Sequence, residues 1–259
     1  MRTRQRTHAS TAASLLAALT LAGCSGDPGA DQRAETGTLT VLAAASLTEV
    51  FTALAGDFES DHPGVRVRLA FDSSATLAEQ VTQGAPADVL ATADRRTMQT
   101  VVAADAVDGR PQVFATNQLQ LVVPPDNPAR ISRFADIGRP GVRLVVCVRS
   151  APCGELATAV LAASGVTAKP ASEEVDVKAV LGKVRLDEAD AGLVYATDAA
   201  AADNDVEVVP VPSSAANRTH YLIAALSEAR EPELARAWVE LVTSAQGRRH
   251  LLDAGFGSP

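Results

Sequence analysis

Two serines stand where a chain could hold an anion. Ser46 lies in Ala43-Ala44-Ala45-Ser46-Leu47, and Ser74 lies in Phe71-Asp72-Ser73-Ser74-Ala75-Thr76-Leu77. Each follows a run with strand character and precedes a helical pattern. Such a junction offers a hydroxyl, free backbone N–H groups and the positive end of a helix dipole, which together suit an anion. The same residues suit plain helix caps. Ser46 with Glu49 three residues later reads as a capping box, and a serine cap is worth about 1 kcal/mol. Local chemistry leaves both roles open, and the pattern occurring twice favours a site.

Other chemistries find less support. The sequence has no GxSxG or SxxK motif for a serine nucleophile, and no GxGxxG or GxxxxGK[ST] loop for a nucleotide. It has no CxxC, and its histidines (His8, His62, His220, His250) are isolated from one another. We therefore expect no enzyme, no cofactor and no metal cation. The lysines Lys169, Lys178 and Lys183 read as solvated charges near helices. Lys plus Arg number 23 against 31 Asp plus Glu, a formal charge of −8 that argues against a nucleic-acid partner. With 47% hydrophobic but only 3% aromatic residues, the core must be built from Ala, Val and Leu.

The elements that position the serines alternate. Thr38 to Ala44 is a short apolar strand, and Leu47, Val50, Phe51, Leu54 and Phe58 then fall on one helical face. Val65 to Phe71 alternates as a strand, Ala75 to Gln83 reads as a helix, and Asp88 to Ala91 is a buried strand whose successor helix Asp94 can cap. This order predicts a parallel sheet covered on both faces. The middle repeats the scheme: strands at Leu119–Val123, Arg143–Val148, Gly192–Tyr195 and Val206–Val211, helices at Glu155–Ala163 and Asp176–Arg185. Thr219–Leu226 returns as a strand, followed by helices at Pro232–Val242 and Ala245–Asp253, with Tyr221 and Trp238 read as core. Two α/β units and a return imply two lobes joined by two crossings, with a cleft at the strand carboxyl ends.

At this point a resemblance becomes specific. AAASL, FDSSATLAEQVTQGAPADVLATAD and GLVYATDA, in that order, resemble the molybdate-binding proteins of bacterial ABC importers, and the likeness runs from about Thr38 to the C-terminus. It implies an α/β, two-lobe periplasmic-binding-protein fold (type II), each lobe a mixed sheet flanked by helices, with the ligand in the interlobe cleft. It further implies that neutral donors hold molybdate or tungstate. Matched segment by segment, those donors are the hydroxyls of Ser46 and Ser74, the backbone N–H of Cys153 in Pro152-Cys153-Gly154, the backbone N–H of Val177 in Asp176-Val177-Lys178, and the hydroxyl of Tyr195. The sequence departs from the family at Cys153, where relatives carry a small residue such as Ala; a backbone donor survives that change. The implied partners are an ABC permease with its ATPase, served by a monomeric receptor.

The ends of the chain fit export. Arg2, Arg4 and Arg6 precede an apolar stretch from about Ala12 to Ala22, too short to span a bilayer and apt for a secretory signal. It ends in Leu21-Ala22-Gly23-Cys24, which resembles a lipoprotein signal that leaves Cys24 lipidated. We expect a signal over 1–24, a flexible tether over 25–37, a first lobe from 38–117 plus 219–259, and a second lobe from 118–218. Losing the three arginines would take the charge from −8 to −11. The membrane contact would be the lipid anchor alone, outside the cell membrane. Cys147 and Cys153 remain as an even pair, for which an exported protein suggests a disulfide. The rival readings are a receptor for another oxyanion such as sulfate, a serine-dependent hydrolase using the cleft, and a chaperone-like adhesive surface protein, for which no exposed apolar signature is visible.

Overall fold

The computed structural model describes residues 36–212 and 215–259. The expected signal, Cys24 and nearly all of the tether lie outside the described residues. Among those described, no helix is long and apolar enough to cross a membrane.

The first half is built on β1 (Gly37–Ala44), flanked in parallel by β2 (Val65–Asp72) and β3 (Val89–Thr92). β1 lies between two strands and under helices on both faces, which explains its unbroken apolar run. β2 is an edge strand, and its alternation leaves Arg66 and Arg68 outward, charges that discourage edge-to-edge pairing. The return strand β9 (Arg218–Leu226) pairs antiparallel with β3, so the sheet is mixed rather than wholly parallel.

The long strand β4 (Val107–Val123) joins the two halves. Its residues from Val107 to Gln118 pair antiparallel with β9, whereas Leu119 to Val123 pair antiparallel with β7 (Ala191–Tyr195) and β8 (Glu207–Val209). Beyond β7 lie β5 (Leu144–Cys147) and β6 (Ser172–Glu174), both parallel to their neighbours. The full order is β2-β1-β3-β9-β4-β7-β5-β6, with β8 beside β4. The sequence reading began β4 only at Leu119. It missed the earlier stretch because Gly109, at φ 76°, and Pro111 look like a turn. They form instead an irregularity where the register shifts between Asp108 and Gln112.

Helices cover both faces of the first half. α1 (Thr48–Asp61), α7 (Pro232–Thr243) and α8 (Ala245–Asp253) lie on one face, where the Trp238 ring packs edge-on against Phe51 and Phe58 at 5.6 and 5.5 Å. α2 (Ser74–Thr82) and α3 (Arg95–Ala103) lie on the other, over a separate core of Leu42, Leu77, Val81, Leu90, Met98 and Leu222. Consecutive strand residues feed opposite cores, as the pleat requires. In the second half, α4 (Pro152–Ala163), α5 (Val177–Arg185) and α6 (Ala196–Ala202) pack against β4, β5 and β7. Each strand–helix junction of interest therefore opens at a strand carboxyl end.

Candidate anion-binding site

Ser46 does not cap a helix. It sits inside a short 3-10 turn, Ala45–Leu47, and the cap position of α1 falls on Leu47, with no side-chain cap bond. The capping box expected with Glu49 is not made. Ser74 is likewise the first residue of α2 rather than its cap; the cap position is Ser73, whose side chain makes no cap bond either. Both site serines are thus relieved of the helix-start duty that competed with a binding role. By contrast, Asp94 does cap α3, accepting from Thr97 N–H at 2.8 Å, and Asp176 caps α5, accepting from Ala179 N–H at 2.9 Å.

The five residues expected at the site, Ser46, Ser74, Cys153, Val177 and Tyr195, all line one small cavity. They come from both halves of the sheet: Ser46 and Ser74 follow β1 and β2, whereas Cys153 and Val177 follow β5 and β6 and Tyr195 ends β7. Cys153 and Val177 belong to the first turns of α4 and α5, where backbone N–H groups lack intrahelical acceptors and the helix dipole is positive.

The hydroxyls are placed to donate. Ser74 Oγ accepts the backbone N–H of Ala93 at 2.9 Å, which leaves its own proton free. Tyr195 is 2% exposed, and its Oη has no hydrogen-bond partner among the described residues. Burial drives its phenol well above its ordinary pKa, so it keeps its proton. Ser73 Oγ, also on the cavity wall, is a second buried hydroxyl without a partner. Orphaned buried hydroxyls are uncommon, and two on one cavity wall mark a place where a ligand would complete the bonding. Ser73 was missed by sequence reading; its adjacency to Ser74 was the available signal.

Two carboxylate residues also line the wall, and each accepts a backbone N–H on one oxygen. Asp72 Oδ1 accepts from Ser73 N–H at 2.6 Å, and Asp176 is the cap of α5. Among the described residues, no lysine or arginine lines the cavity. Lys178, next to Val177, is not the solvated charge expected of it. Its Nζ meets Glu49 of α1 at 2.7 Å and the fully buried Asp198 of α6 at 2.9 Å. Arg96 of α3 likewise meets Glu155 of α4 at 2.7 Å and the Ser150 carbonyl at 3.1 Å. No histidine lines the cavity either, and neither Ser46 nor Ser74 bonds to one.

The turn that carries Cys153 is tightly built. Cys147 and Cys153 form the expected disulfide, with Cα atoms 5.7 Å apart, tying the end of β5 to the start of α4. Pro152 stands at the first position of α4, where its missing N–H costs nothing. A Cβ on Gly154 would lie 2.1 Å from the Val148 carbonyl oxygen and 2.5 Å from that of Cys147, so only glycine fits.

Comparison with known proteins agrees with this arrangement. Residues 39–257 match the family described as bacterial extracellular solute-binding protein. The molybdate-binding protein ModA of Mycobacterium tuberculosis is 44% identical over 221 residues, covering 85% of each chain. Among solved structures, the periplasmic molybdate-binding protein of Azotobacter vinelandii superimposes with a TM-score of 0.71 at 18% identity, over 85% of this chain and 99% of that one. A sulfate-binding protein of Mycobacterium tuberculosis gives 0.75 at 18% identity, over 86% of each chain. At such identities the structural likeness speaks for the fold alone, an α/β periplasmic-binding-protein fold. By the family match and the 44% identity, the chain belongs to the bacterial extracellular solute-binding proteins of the molybdate-binding kind.

Proposed function

We propose that this protein is an extracytoplasmic receptor that closes around molybdate or tungstate and delivers it to an ABC permease driven by an ATPase. The observation that carries the reading is the convergence of Ser46, Ser74, Cys153, Val177 and Tyr195 on one cavity with no cationic side chain in its wall. We divide the body into lobes of 38–117 with 219–259, and 118–218, because the strand pairing of β4 changes partner between Gln118 and Leu119. The ligand would lie between these lobes and favour the closed form, which the permease would read.

The cavity suits a compact oxyanion. The space its walls leave for an oxygen centre is ≈ 20 Å³. That is room for one compact ion. Hydrogen bonds to a charged acceptor contribute about 1.5–3 kcal/mol each, so hydroxyl and N–H donors suffice without a cation. An ion bearing its own O–H, such as hydrogen phosphate, would find no acceptor among the hydroxyl and N–H donors, at a cost of about 1–3 kcal/mol wherever it does not reach the Asp72 or Asp176 carboxylate. We assign no covalent chemistry to the site and treat the protein as a monomer held by a lipid on Cys24.

Titration calorimetry with molybdate, tungstate, sulfate and phosphate at matched ionic strength tests the assignment. Molybdate and tungstate should bind tightest and, at a thousandfold excess over Kd, stabilise the fold by about 4 kcal/mol. Absence of heat with both would reject the ligand, and tighter binding of sulfate would move the protein to the sulfate reading.

A further inference from the structure

Ser46 is wired differently from Ser74. Its Oγ lies 2.7 Å from the Oη of Tyr221, a side chain on β9 with no exposed surface. The sequence marked Tyr221 as core, and its ring is indeed packed edge-on against Phe256 at 5.2 Å and Tyr195 at 6.0 Å. Its hydroxyl, however, reaches the site.

Either hydroxyl could donate in that bond, and the neighbour of Tyr221 bears on which one does. Asn117 of β4 accepts the Gln118 N–H on Oδ1 at 2.9 Å, which fixes the amide orientation. Its Nδ2 therefore points to Thr197 Oγ1 at 3.0 Å and to Tyr221 Oη at 3.5 Å. An amide nitrogen only donates. Tyr221 Oη thus receives a proton from Asn117, its own single proton is left to be donated, and Ser46 Oγ is the oxygen with which it makes its short bond. Ser46 Oγ then holds Tyr221's proton on a lone pair. Its own proton has no acceptor among the described residues and faces the cavity that Ser46 lines. The Ala93 N–H does the same for Ser74 through the backbone.

We infer that Tyr221, oriented by Asn117, is a positioning residue that commits the Ser46 hydroxyl to donate into the site and denies its oxygen to ligands carrying an O–H. The inference rests on the proposed oxyanion site. It adds a specificity role: the Ser46 position is donor-only because a residue behind the wall occupies the lone pair through which Ser46 would otherwise accept.

The test is a double-substitution cycle read by calorimetry with molybdate and, separately, with phosphate. Ser46→Ala should weaken molybdate about ten- to 150-fold. Tyr221→Phe keeps the ring and should weaken molybdate about three- to tenfold while narrowing the molybdate-to-phosphate ratio. Combining the two should cost no more than Ser46→Ala alone, because the phenol acts through Ser46. Wild-type affinity in Ser46→Ala would sink the oxyanion-site reading itself. A weakened Ser46→Ala beside an unaffected Tyr221→Phe, or fully additive losses, would overturn the relay and leave that reading intact. Should Tyr221→Phe fail to fold, Asn117→Asp carries the test. Its carboxylate draws the Tyr221 proton away and turns Ser46 back toward Tyr221. Affinity should then fall, with no further loss on adding Ser46→Ala; a further loss would overturn the relay.

Discussion

Replacing Ser74 by alanine separates binding from architecture, because the hydroxyl serves both. Ser74 is 1% exposed, and its Oγ is the acceptor for Ala93 N–H at 2.9 Å. Removing it leaves a buried N–H unpaired, which costs about 1–3 kcal/mol of folding free energy. For a domain of this size that lowers the apo melting temperature by roughly 2–12 °C. The same change removes one donor to a charged ligand, worth about 1.5–3 kcal/mol, and so weakens molybdate about ten- to 150-fold.

Ser73→Ala is the control that makes the first result interpretable. The Ser73 hydroxyl has no partner among the described residues and caps nothing. Its loss should leave the apo melting temperature unchanged or raise it, because a buried hydroxyl without a partner destabilises the empty fold. Any affinity it loses therefore reports ligand contact alone. The two variants would be read by thermal scans without ligand and by calorimetry with molybdate. A Ser74→Ala protein that melts early but binds molybdate within twofold of wild type would refute the reasoning: its hydroxyl would then be a bracket for Ala93 and nothing more.

Reducing the Cys147–Cys153 bridge, or replacing both cysteines by alanine, should lower stability by about 2 kcal/mol in denaturant unfolding and weaken molybdate, because the turn presenting the Cys153 N–H loses its tie. Gly154→Ala should destabilise by about 1–3 kcal/mol in the same assay, since α4 must back away from the Val148 and Cys147 carbonyls; an unchanged midpoint would contradict the close approach. Burial raises the carboxyl of Asp198 to about 6, against the opposing pull of Lys178. The folded state therefore holds that proton more tightly than the unfolded chain, so its contribution to stability falls as pH rises from about 4 to 6, by at most about 3 kcal/mol. Asp198→Asn should flatten that slope in urea titrations at stepped pH, and an unchanged slope would exclude Asp198 as its source.

How much of this was legible in the sequence varies with the range of the interaction. The strand–helix junctions at Ser46 and Ser74 were visible because hydrophobic period and turn chemistry are local. The convergence of Cys153, Val177 and Tyr195 on the same cavity was not; those positions came from the family resemblance, since periodicity alone marks Val177 as core. The roles of Tyr221 and Asn117 stayed hidden. A tyrosine in the apolar run of β9 packs as its pattern predicts, and nothing in that pattern shows that its hydroxyl meets a serine 175 residues earlier. Lys178 misled for the same reason: its partners, Glu49 and Asp198, lie on α1 and α6. The capping box failed because a 3-10 turn intervenes between β1 and α1 and moves the helix start past Ser46.

The acidic charge of the chain and its proposed anionic ligand are reconciled by where the cations sit. A formal charge of −8 gives no long-range attraction for an anion. Two cations close in sequence to lining residues are paired with carboxylates from the opposite side of the β4 division: Lys178 of α5 with Glu49 of α1, and Arg96 of α3 with Glu155 of α4. Their charge is spent on holding the two sides together rather than on the ligand. What remains for the ligand is fixed dipoles: hydroxyls whose lone pairs are already occupied, and N–H groups at helix starts. A mobile lysine would attract sulfate, phosphate and carboxylates nearly alike. Oriented neutral donors would instead favour a compact oxyanion that carries no O–H of its own.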